Sequence, residues 1–477
     1  MSEQPVKSPP TRKPRAGDQF ELDIVAFDGR GRGTAQRDGY HFTVRRAAPG
    51  ATVRAMVLRR RGANIEAVAL EKLAAGPKAV EPVCAHFGAC GGCSLQDLAY
   101  SEQLAGLRAL VERSFTSRLS TPFELHDVIP APATTRYRNK MEFTFSARRW
   151  IAPGEPENAP NGFALGMHAA GVHGKVVDIY GCSIQARVAD EILATVRELS
   201  VARALPPWDP KLHTGLLRYL VIRHAGSSSE VLVNLVTSDE APDVIDPFVR
   251  EIVARHPTIT TFLQNVNSRP ADTAIGDPGR ERVLFGGGVI RERILGLEFE
   301  LSAGSFFQTN SVQAERLFEI VREECALTGG ETVYDLYCGT GTIALILSAA
   351  AREVIGFEIV SSSVADARAN ALRNGIGNVR FVEGDALDGL ATEGLPAPDV
   401  VVVDPPRAGL HKKVLPRLAA LGARRIVYVS CHHPAAAEDA RVLESLGWRV
   451  ERVRPIDMFP HTPHVECVIT LVPQSAS

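Results

Sequence analysis

The sequence predicts an α/β protein whose C-terminal part is a doubly wound parallel sheet. From residue 311 onward, short apolar runs alternate with segments of helical periodicity, which is the order expected of strand–helix–strand units. Residues 335–342 place two glycines between a predicted strand and a predicted helix. Upstream, glycine-punctuated β-rich runs in residues 17–73 predict a small closed barrel of the OB type. The segment between these regions indicates a mixed α+β domain.

Length and composition limit the class of protein. A chain of 477 residues exceeds what one hydrophobic core organises, so two to four domains are expected. Hydrophobic content of 45% and charged content of 23% are typical of a soluble globular protein. The longest strongly apolar stretch, residues 342–351, is far shorter than the roughly twenty residues that span a bilayer. The N-terminus lacks the apolar core of a secretory signal, so a cytoplasmic protein is expected, and we take it to be a monomer.

The N-terminal region carries a local positive charge although the whole chain has a net charge of -2. Residues 1–16 are a predicted disordered basic tail, and the strands of the barrel are predicted at residues 20–27, 39–44, 51–57 and 64–70. Residues 1–75 contain an excess of six basic over acidic side chains, including Arg59, Arg60 and Arg61. A basic face on a small barrel suits a phosphate backbone, and an ordinary solvated surface is the alternative.

The remaining elements are predicted from the period of their apolar residues. In the central region these are a helix at residues 95–119, a helix at 186–199, and strands at 140–146, 163–168, 219–224, 231–237, 259–265 and 289–295. In the C-terminal region helices are predicted at 312–326, 342–351 and 361–374, and strands at 332–336, 353–357, 379–383, 400–403, 425–429 and 465–471.

The glycine turn between the first C-terminal strand and its helix indicates a nucleotide-type ligand. Gly339 and Gly341 let the backbone bend tightly and approach a ligand, and Glu358 ends the next strand, where a carboxylate can accept ribose hydroxyls. These residues fit adenosylmethionine, but they also fit NAD or FAD, or a purely structural turn. Asp385, at the end of the third strand, and the Asp404-Pro-Pro-Arg run favour adenosylmethionine.

A compact set of cysteines predicts a metal site. Cys84, Cys90 and Cys93 lie in a glycine-rich loop, and Cys182 is the best candidate for a fourth thiolate. Four thiolates suit a [4Fe–4S] cluster or zinc, and cysteines buried without a ligand are the third possibility. Three other cysteines, at positions 325, 338 and 467, are interpreted as structural.

Two short segments near the C-terminus pair a nucleophile with a base. Cys431 follows a predicted strand, and Glu466 lies in a second one. A thiol and a carboxylate on neighbouring strands supply the groups that alkylation of a pyrimidine carbon requires.

Taken together, the motifs resemble the RNA 5-methyluridine methyltransferases, the uracil-C5 family that acts on tRNA and rRNA. The resemblance extends over residues 17–475 and is carried by five motifs in this order: Gly304-Ser-Phe-Phe-Gln-Thr-Asn310, residues 335–342, Asp404-Pro-Pro-Arg407, Ser430-Cys431 and Val465-Glu466-Cys467. It implies a Rossmann-like methyltransferase domain at residues 306–477, a central domain with the cysteine cluster at 77–305, and an RNA-binding barrel at 17–76 similar to a TRAM domain.

The resemblance also implies roles for individual residues. Cys431 matches the nucleophile that adds to C6 of the uracil, and Glu466 matches the base that removes the C5 proton. The residues that match the S-adenosyl-L-methionine site are Gln308, Tyr337, Thr342, Glu358, Asp385 and Asp404. Those that match the iron–sulfur ligands are Cys84, Cys90, Cys93 and Cys182. The presence of both barrel and cluster resembles the members that modify 23S rRNA more than the shorter tRNA enzymes.

One departure from the family pattern concerns the residues after the nucleophile. The family has Asn-Pro there, whereas this chain has His432 and His433 before Pro434. A histidine can take a proton near neutral pH, so His432 is a rival to Glu466 as the base. Two other function classes stay open: a non-catalytic RNA-binding or ribosome-assembly factor, and an iron–sulfur oxidoreductase that uses flavin or nicotinamide.

Overall fold

The computed structural model describes residues 13–151, 155–156, 158–172, 174–270, 273–390 and 394–474. Its contacts divide the chain into two compact units. The first consists of Met1–Gly88, Cys93–Leu110 and His461–Pro463, and the second of Ala89–Gly92, Val111–Pro460 and His464–Ser477. Most of the predicted disordered tail lies outside the described residues. None of the described helices is long and apolar enough to cross a lipid bilayer.

The first unit contains a six-stranded sheet in the order β1-β5-β6-β4-β3-β2. Its strands are β1 (Gln19–Asp23), β2 (Ala26–Phe27), β3 (Gly33–Arg37), β4 (Tyr40–Arg45), β5 (Thr52–Arg61) and β6 (Asn64–Ala74). Alternate residues such as Phe42 and Val44 in β4 are buried, as the period of two in a strand requires. The two edge strands, β1 and β2, follow one another in the chain with only Ile24 and Val25 between them.

After α1 (Tyr100–Thr116) and the short β7 (Glu124–Leu125), a seven-stranded mixed sheet has the order β10-β9-β8-β11-β12-β13-β14. Its strands are β8 (Lys140–Ser146), β9 (Ala164–His168), β10 (Val176–Asp178), β11 (Leu217–His224), β12 (Val231–Thr237), β13 (Ile259–Val266) and β14 (Glu281–Phe285). Only β12 and β13 pair in parallel among its described neighbours. Helices α2 (Arg187–Ala202) and α3 (Pro242–Arg255) pack on this sheet, and β15 (Ile290–Ile294) and β16 (Leu297–Leu301) form a separate hairpin.

The C-terminal sheet has eight strands in the order β19-β18-β17-β20-β21-β23-β22-β7. Its further strands are β17 (Thr332–Leu336), β18 (Glu353–Glu358), β19 (Val379–Glu383), β20 (Val400–Val403), β21 (Arg425–Ser430), β22 (Trp448–Ile456) and β23 (Glu466–Pro473). The helices are α4 (Ser311–Cys325), α5 (Thr342–Ser348), α6 (Ser361–Arg373), α7 (Ala386–Gly389), α8 (Val414–Ala419) and α9 (His433–Ser445). Strands β17 to β21 are mutually parallel, and β23 inserts antiparallel beside β21.

Burial on both faces makes this sheet doubly wound. All four valines of β20 are inaccessible to solvent, although successive side chains point to opposite faces. Val400 and Val402 belong to the core on the side of α4, α5 and α6, so Val401 and Val403 face the other layer. A parallel strand covered on both faces is a continuous apolar run, which is why the sequence predicted it well.

Candidate active site

The predicted site residues gather at one edge of the eight-stranded sheet, where its five parallel strands end. Tyr337 follows β17, Glu358 is the last residue of β18, Asp385 comes two residues after β19, Asp404 follows β20 and Cys431 follows β21. Ligands bind at this edge of open α/β sheets because the loops leave the strands there. The parallel order therefore brings together side chains that are far apart in the sequence.

The turn after β17 has a backbone that few residues can adopt. Tyr337, Gly339 and Gly341 have φ values of 65°, 54° and 83°. A Cβ atom on Gly341 would lie 2.8 Å from the Cζ atom of Phe381 and 3.0 Å from the Cβ of Ala367, closer than real contacts allow. Glycine at position 341 is therefore required both by its left-handed backbone and by the space around it.

Glu358 is held against this turn by backbone amides. Its Oε2 accepts a hydrogen bond of 3.0 Å from the amide of Gly339, and its Oε1 accepts one of 2.8 Å from the amide of Val360. The amide of Gly384, the residue after β19, donates to the Glu358 carbonyl, which holds the loop that carries Asp385 beside the end of β18. Each carboxylate oxygen has a second lone pair, so Glu358 can still accept hydroxyl donors.

Gln308 and Thr342 are the two predicted cofactor residues that do not lie at or within two residues of the end of a parallel strand. Thr342 is the first residue of α5, directly after Gly341. Gln308 lies in the loop before α4, and its carbonyl accepts a hydrogen bond of 3.0 Å from the Asn139 side chain. The loop ends at Asn310, which caps α4 by accepting from the amide of Gln313 at 3.2 Å. The path of the Gln308 loop is thus fixed by the central region of the same unit.

The register of β21 and β23 sets the relation between the predicted nucleophile and base. Ser430 is the antiparallel partner of Cys467. One position beyond this pair, past the carboxyl end of β21, Cys431 lies opposite Glu466 at the start of β23. Directly opposed residues project to the same face with Cβ atoms about 5 Å apart. Cys467 projects to the other face and is fully buried, in agreement with its predicted structural role.

Burial controls the protonation of Glu466. The side chain is 5% exposed, and desolvation, reinforced by the charge of Asp404, raises its pKa to about 8 against the lowering effect of Arg407. Asp404 is partly exposed, yet desolvation raises its pKa to about 7. At neutral pH Glu466 therefore favours its neutral form, whereas Asp404 is about half ionised.

The Cys431 thiol is also held in its neutral form. Burial and then the charge of Glu466 raise its pKa to about 11, whereas Arg407 lowers it. The half-buried thiol needs a change in its surroundings before it becomes a thiolate, which is the reactive form. Arg407, in the exposed turn after Asp404, is the positive charge that lowers the pKa of both groups.

The two histidines after Cys431 have different surroundings. His433 is the first residue of α9, it is buried, and its Nδ1 lies 2.8 Å from the Ser114 hydroxyl. Burial lowers the pKa of His433 to about 4, so it is neutral and bonded away from the thiol. His432 precedes the helix, its amide donates to the Ser430 hydroxyl at 3.0 Å, and burial and Arg407 lower its pKa. Of the two histidines, His432 therefore remains the alternative to Glu466 as the base.

The cysteines predicted to bind metal are not brought into a recognisable site. Cys84 and Cys93 belong to the first unit, and Cys90 and Cys182 to the second. Within the described residues, no group of three or more His, Cys, Asp or Glu side chains is arranged to hold a metal ion. The structure therefore does not support the cluster, and the four ligands stay a prediction from the sequence.

Comparison with known proteins gives one consistent family. A sequence profile described as tRNA (Uracil-5-)-methyltransferase matches residues 289–474. An uncharacterized RNA methyltransferase of Chlorobaculum tepidum is 38% identical over 432 residues, which are 88% of this chain and 89% of the relative. Another, of Porphyromonas gingivalis, is 37% identical over 94% of this chain and 99% of the relative.

The chain belongs to the RNA uracil-5-methyltransferase family. It is accordingly an enzyme that uses S-adenosylmethionine, and the predicted family membership is confirmed. The crystal structure of the Pyrococcus abyssi tRNA (uracil-54, C5)-methyltransferase with S-adenosyl-L-homocysteine has a TM-score of 0.73 to this structure. It is 28% identical and covers 95% of this chain and all of that one, which confirms the α/β methyltransferase fold.

Several residues of this methyltransferase site were not singled out from the sequence. Arg407 stood in a quoted motif, but its influence on Cys431 and Glu466 became visible only in the fold. His464 lies near Arg407 and His432, whose charges help burial to lower its pKa. Its position just before Glu466 was the one signal that could have marked it.

Proposed function

We propose that the enzyme transfers a methyl group from S-adenosylmethionine to C5 of a uridine in RNA through a covalent adduct between Cys431 and C6. The observation that carries the proposal is the pairing of Ser430 with Cys467, from which Cys431 and Glu466 lie opposite one another at the carboxyl edge of the sheet. The charge of Glu466 also acts on Cys431, as expected of neighbours.

The chain's own residues fit the cofactor. The glycine turn leaves no room for a Cβ at position 341, and Glu358 presents a carboxylate fixed by two amides beside it. We assign Gln308, Tyr337, Thr342, Glu358, Asp385 and Asp404 to the cofactor site, as the resemblance implies. When bound, the cofactor supplies an electrophilic methyl group on a sulfonium.

The proposed chemistry requires Cys431 and Glu466 to change protonation in sequence. The Cys431 thiol gives up its proton to solvent, and the thiolate sulfur forms a bond to C6, which moves electron density to C5. C5 then takes the methyl group, and S-adenosylhomocysteine is the leaving group. Glu466 as carboxylate takes the C5 proton, and cleavage of the bond between sulfur and C6 restores the ring. Because the charge of Glu466 raises the pKa of Cys431, the site favours one negative charge at a time, and Arg407 offsets part of that cost.

We propose that the N-terminal sheet closes into the TRAM-like barrel and binds RNA. Its consecutive edge strands β1 and β2 permit closure through a single bend of the chain. A groove of about 250 Å³ on this sheet is lined by Arg32, His41, Arg59 and Arg61 among others. Arginines around a groove suit phosphate oxygens, although Arg59 is paired with Glu66 at 2.6 Å and Arg32 with Asp28 at 2.7 Å.

The substrate proposed first is 23S rRNA, with tRNA as the alternative. The rRNA assignment rests on the predicted barrel and cysteine cluster. The family profile and the Pyrococcus abyssi enzyme carry tRNA in their names, which keeps the alternative in place. Mapping 5-methyluridine in both RNAs from a deletion strain decides between them, because the missing modification identifies the target.

The deletion strain also tests the nucleophile. Wild-type protein should restore the missing 5-methyluridine, and Cys431→Ala should not, although it still binds RNA. Glu438→Gln, an exposed acid on α9, is the control that should restore it. Restoration by Cys431→Ala near the wild-type level would refute the covalent mechanism. If no 5-methyluridine is lost in the deletion strain, a non-catalytic RNA-binding role gains support.

The [4Fe–4S] cluster is retained as a proposal that rests on the family resemblance alone. Iron, acid-labile sulfide and zinc measured on anaerobically purified protein separate the three alternatives. Four irons per chain that are lost together in Cys90→Ser would support the cluster, and one zinc per chain would support the zinc site. If the protein contains neither metal, the cysteines have no ligand.

A further inference from the structure

Asp439, on α9, is hydrogen-bonded to two other segments of the C-terminal region that carries the proposed active site. It lies on the second turn of α9 and is buried. Its Oδ2 accepts one hydrogen bond of 2.7 Å from the backbone amide of Leu410 and another of 2.7 Å from the Tyr428 hydroxyl. A single carboxylate oxygen thus joins a loop, a strand and a helix.

One donor belongs to the strand that leads to Cys431, and the other to the segment that contains Arg407. Tyr428 is in the middle of β21, three residues before Cys431, and it pairs with Val403, the last residue before Asp404. Leu410 lies in the irregular segment between β20 and α8, three residues after Arg407. Asp439 therefore fixes the segment that contains Arg407 to the strand that presents the thiol.

The loop is also pressed closely onto the carboxylate. Gly409 has a φ of 82°, and a Cβ on it would lie 2.7 Å from Asp439 Oδ2. The amide of Gly409 donates to the carbonyl of Pro406 at 2.8 Å, which closes a four-residue turn with Arg407 and Ala408 at its tip. The shape of that turn, and hence the direction of Arg407, depends on where Gly409 and Leu410 are held.

We propose that Asp439 is a positioning residue that holds the Arg407 turn against β21, so that the guanidinium faces Cys431 and Glu466. Asp439 contacts neither reacting group, and it acts through Arg407. This inference rests on the proposed function for its catalytic meaning, but the placement it asserts can be measured without methyl transfer.

The test uses alkylation of the Cys431 thiol by iodoacetamide in the full-length protein, without RNA or cofactor, followed by mass spectrometry of the peptide that contains it. Arg407→Ala should slow the reaction at pH 8 by about two- to fivefold, the range expected for one solvent-screened charge. Asp439→Ala should slow it to the same extent, and the double variant should be no slower than either single variant.

Matched variants separate positioning from a general loss of structure. Asp439→Asn keeps an oxygen acceptor for the Leu410 amide and should recover most of the rate. Gly409→Ala changes the loop and leaves Asp439 in place, and it should also slow alkylation, because the added Cβ would displace the Asp439 carboxylate. Glu438→Ala, the exposed neighbour on α9, should leave the rate unchanged.

Wild-type reactivity in Asp439→Ala, beside slow reaction in Arg407→Ala, would overturn the proposal. So would additive losses in the double variant. If Asp439→Ala does not fold, Gly409→Ala decides: a wild-type rate of alkylation in that variant would also overturn the proposal. Methyl transfer by Cys431→Ala would instead refute the proposed function, and it would leave the alkylation result standing.

Discussion

Ser430 in β21 pairs with Cys467 in β23, and this one antiparallel register places Cys431 opposite Glu466. A slip of one residue would turn Glu466 to the opposite face of the sheet and bring Cys467 to the reactive side. On the other flank of β23, Ile456 in β22 pairs with Glu466, so β22 supports the same register. The geometry of the proposed chemistry is therefore a property of the sheet.

Replacement of the proposed base should trap the adduct. Glu466→Gln keeps the size of the side chain but cannot remove the C5 proton, so a methylated protein–RNA adduct should accumulate and survive denaturation. A gel shift that carries the radiolabelled methyl group measures it. His432→Ala and His433→Ala are the matched comparisons, and neither should trap adduct. Accumulation in His432→Ala alone would show that the histidine is the base.

The rate of methyl transfer should depend on pH through the ionisation of Glu466. Its pKa is raised to about 8, so the carboxylate that acts as base forms as the pH rises through that value. We expect kcat/KM, which reports the free enzyme, to increase with pH through about 8 as Glu466 ionises, and to keep rising above it as the Cys431 thiol, whose pKa is about 11, forms more thiolate. Arg407→Ala should move the midpoint upward because the guanidinium lowers that pKa. A flat profile between pH 6 and about 9 would contradict this assignment.

The same ionisation should influence stability. The pKa of Glu466 is higher in the folded state than its ordinary value of 4.5, so the folded protein binds more protons between the two values. Its free energy of unfolding should therefore fall as the pH rises from about 5 to 8. Glu466→Gln should lose less stability over this range, by on the order of one to a few kcal/mol. Urea unfolding at both pH values measures the difference.

A control for this stability effect is available on α9. Glu438 is exposed, and its hydrogen bond to Arg441 lowers its pKa, which is the opposite direction to Glu466. Glu438→Gln should therefore leave the fall in stability between pH 5 and about 8 as it is in the wild type. An identical pH dependence in Glu466→Gln and wild type would contradict the buried, protonated state of Glu466.

Loss of space in the glycine turn should weaken cofactor binding. Gly341→Ala forces a side chain into a φ of 83° and within 2.8 Å of Phe381, so the turn must shift. We expect at least about a tenfold increase in the Kd for S-adenosylmethionine, corresponding to about 1.4 kcal/mol. Gly377→Ala is the control, since its Cβ would meet no atom within 4 Å. Calorimetric titration of both variants checks the expectation, and equal affinities would contradict it.

Predictions from the sequence succeeded where local pattern and tertiary environment agree. The predicted bounds of β17 and β20 coincide with the observed ones, because a strand buried on both faces shows a largely apolar run. By contrast, β3 was not predicted, since its residues Gly-Thr-Ala-Gln-Arg have little β-type pattern and are held by pairing with β4. β22 was missed for a similar reason, as arginines and a glutamate interrupt its apolar residues.

The sequence by itself determined the family, the strand–turn–helix that fits the cofactor, and Cys431 and Glu466 as candidates, because these depend on residue type and spacing along the chain. Only the tertiary structure decided that His433 is bonded to Ser114, that Arg407 acts on both candidates, and that Asp439 joins the segment of Arg407 to β21. The physical reason is that burial and the distances between charges fix each pKa and each hydrogen bond, and they arise from contacts between residues remote in sequence.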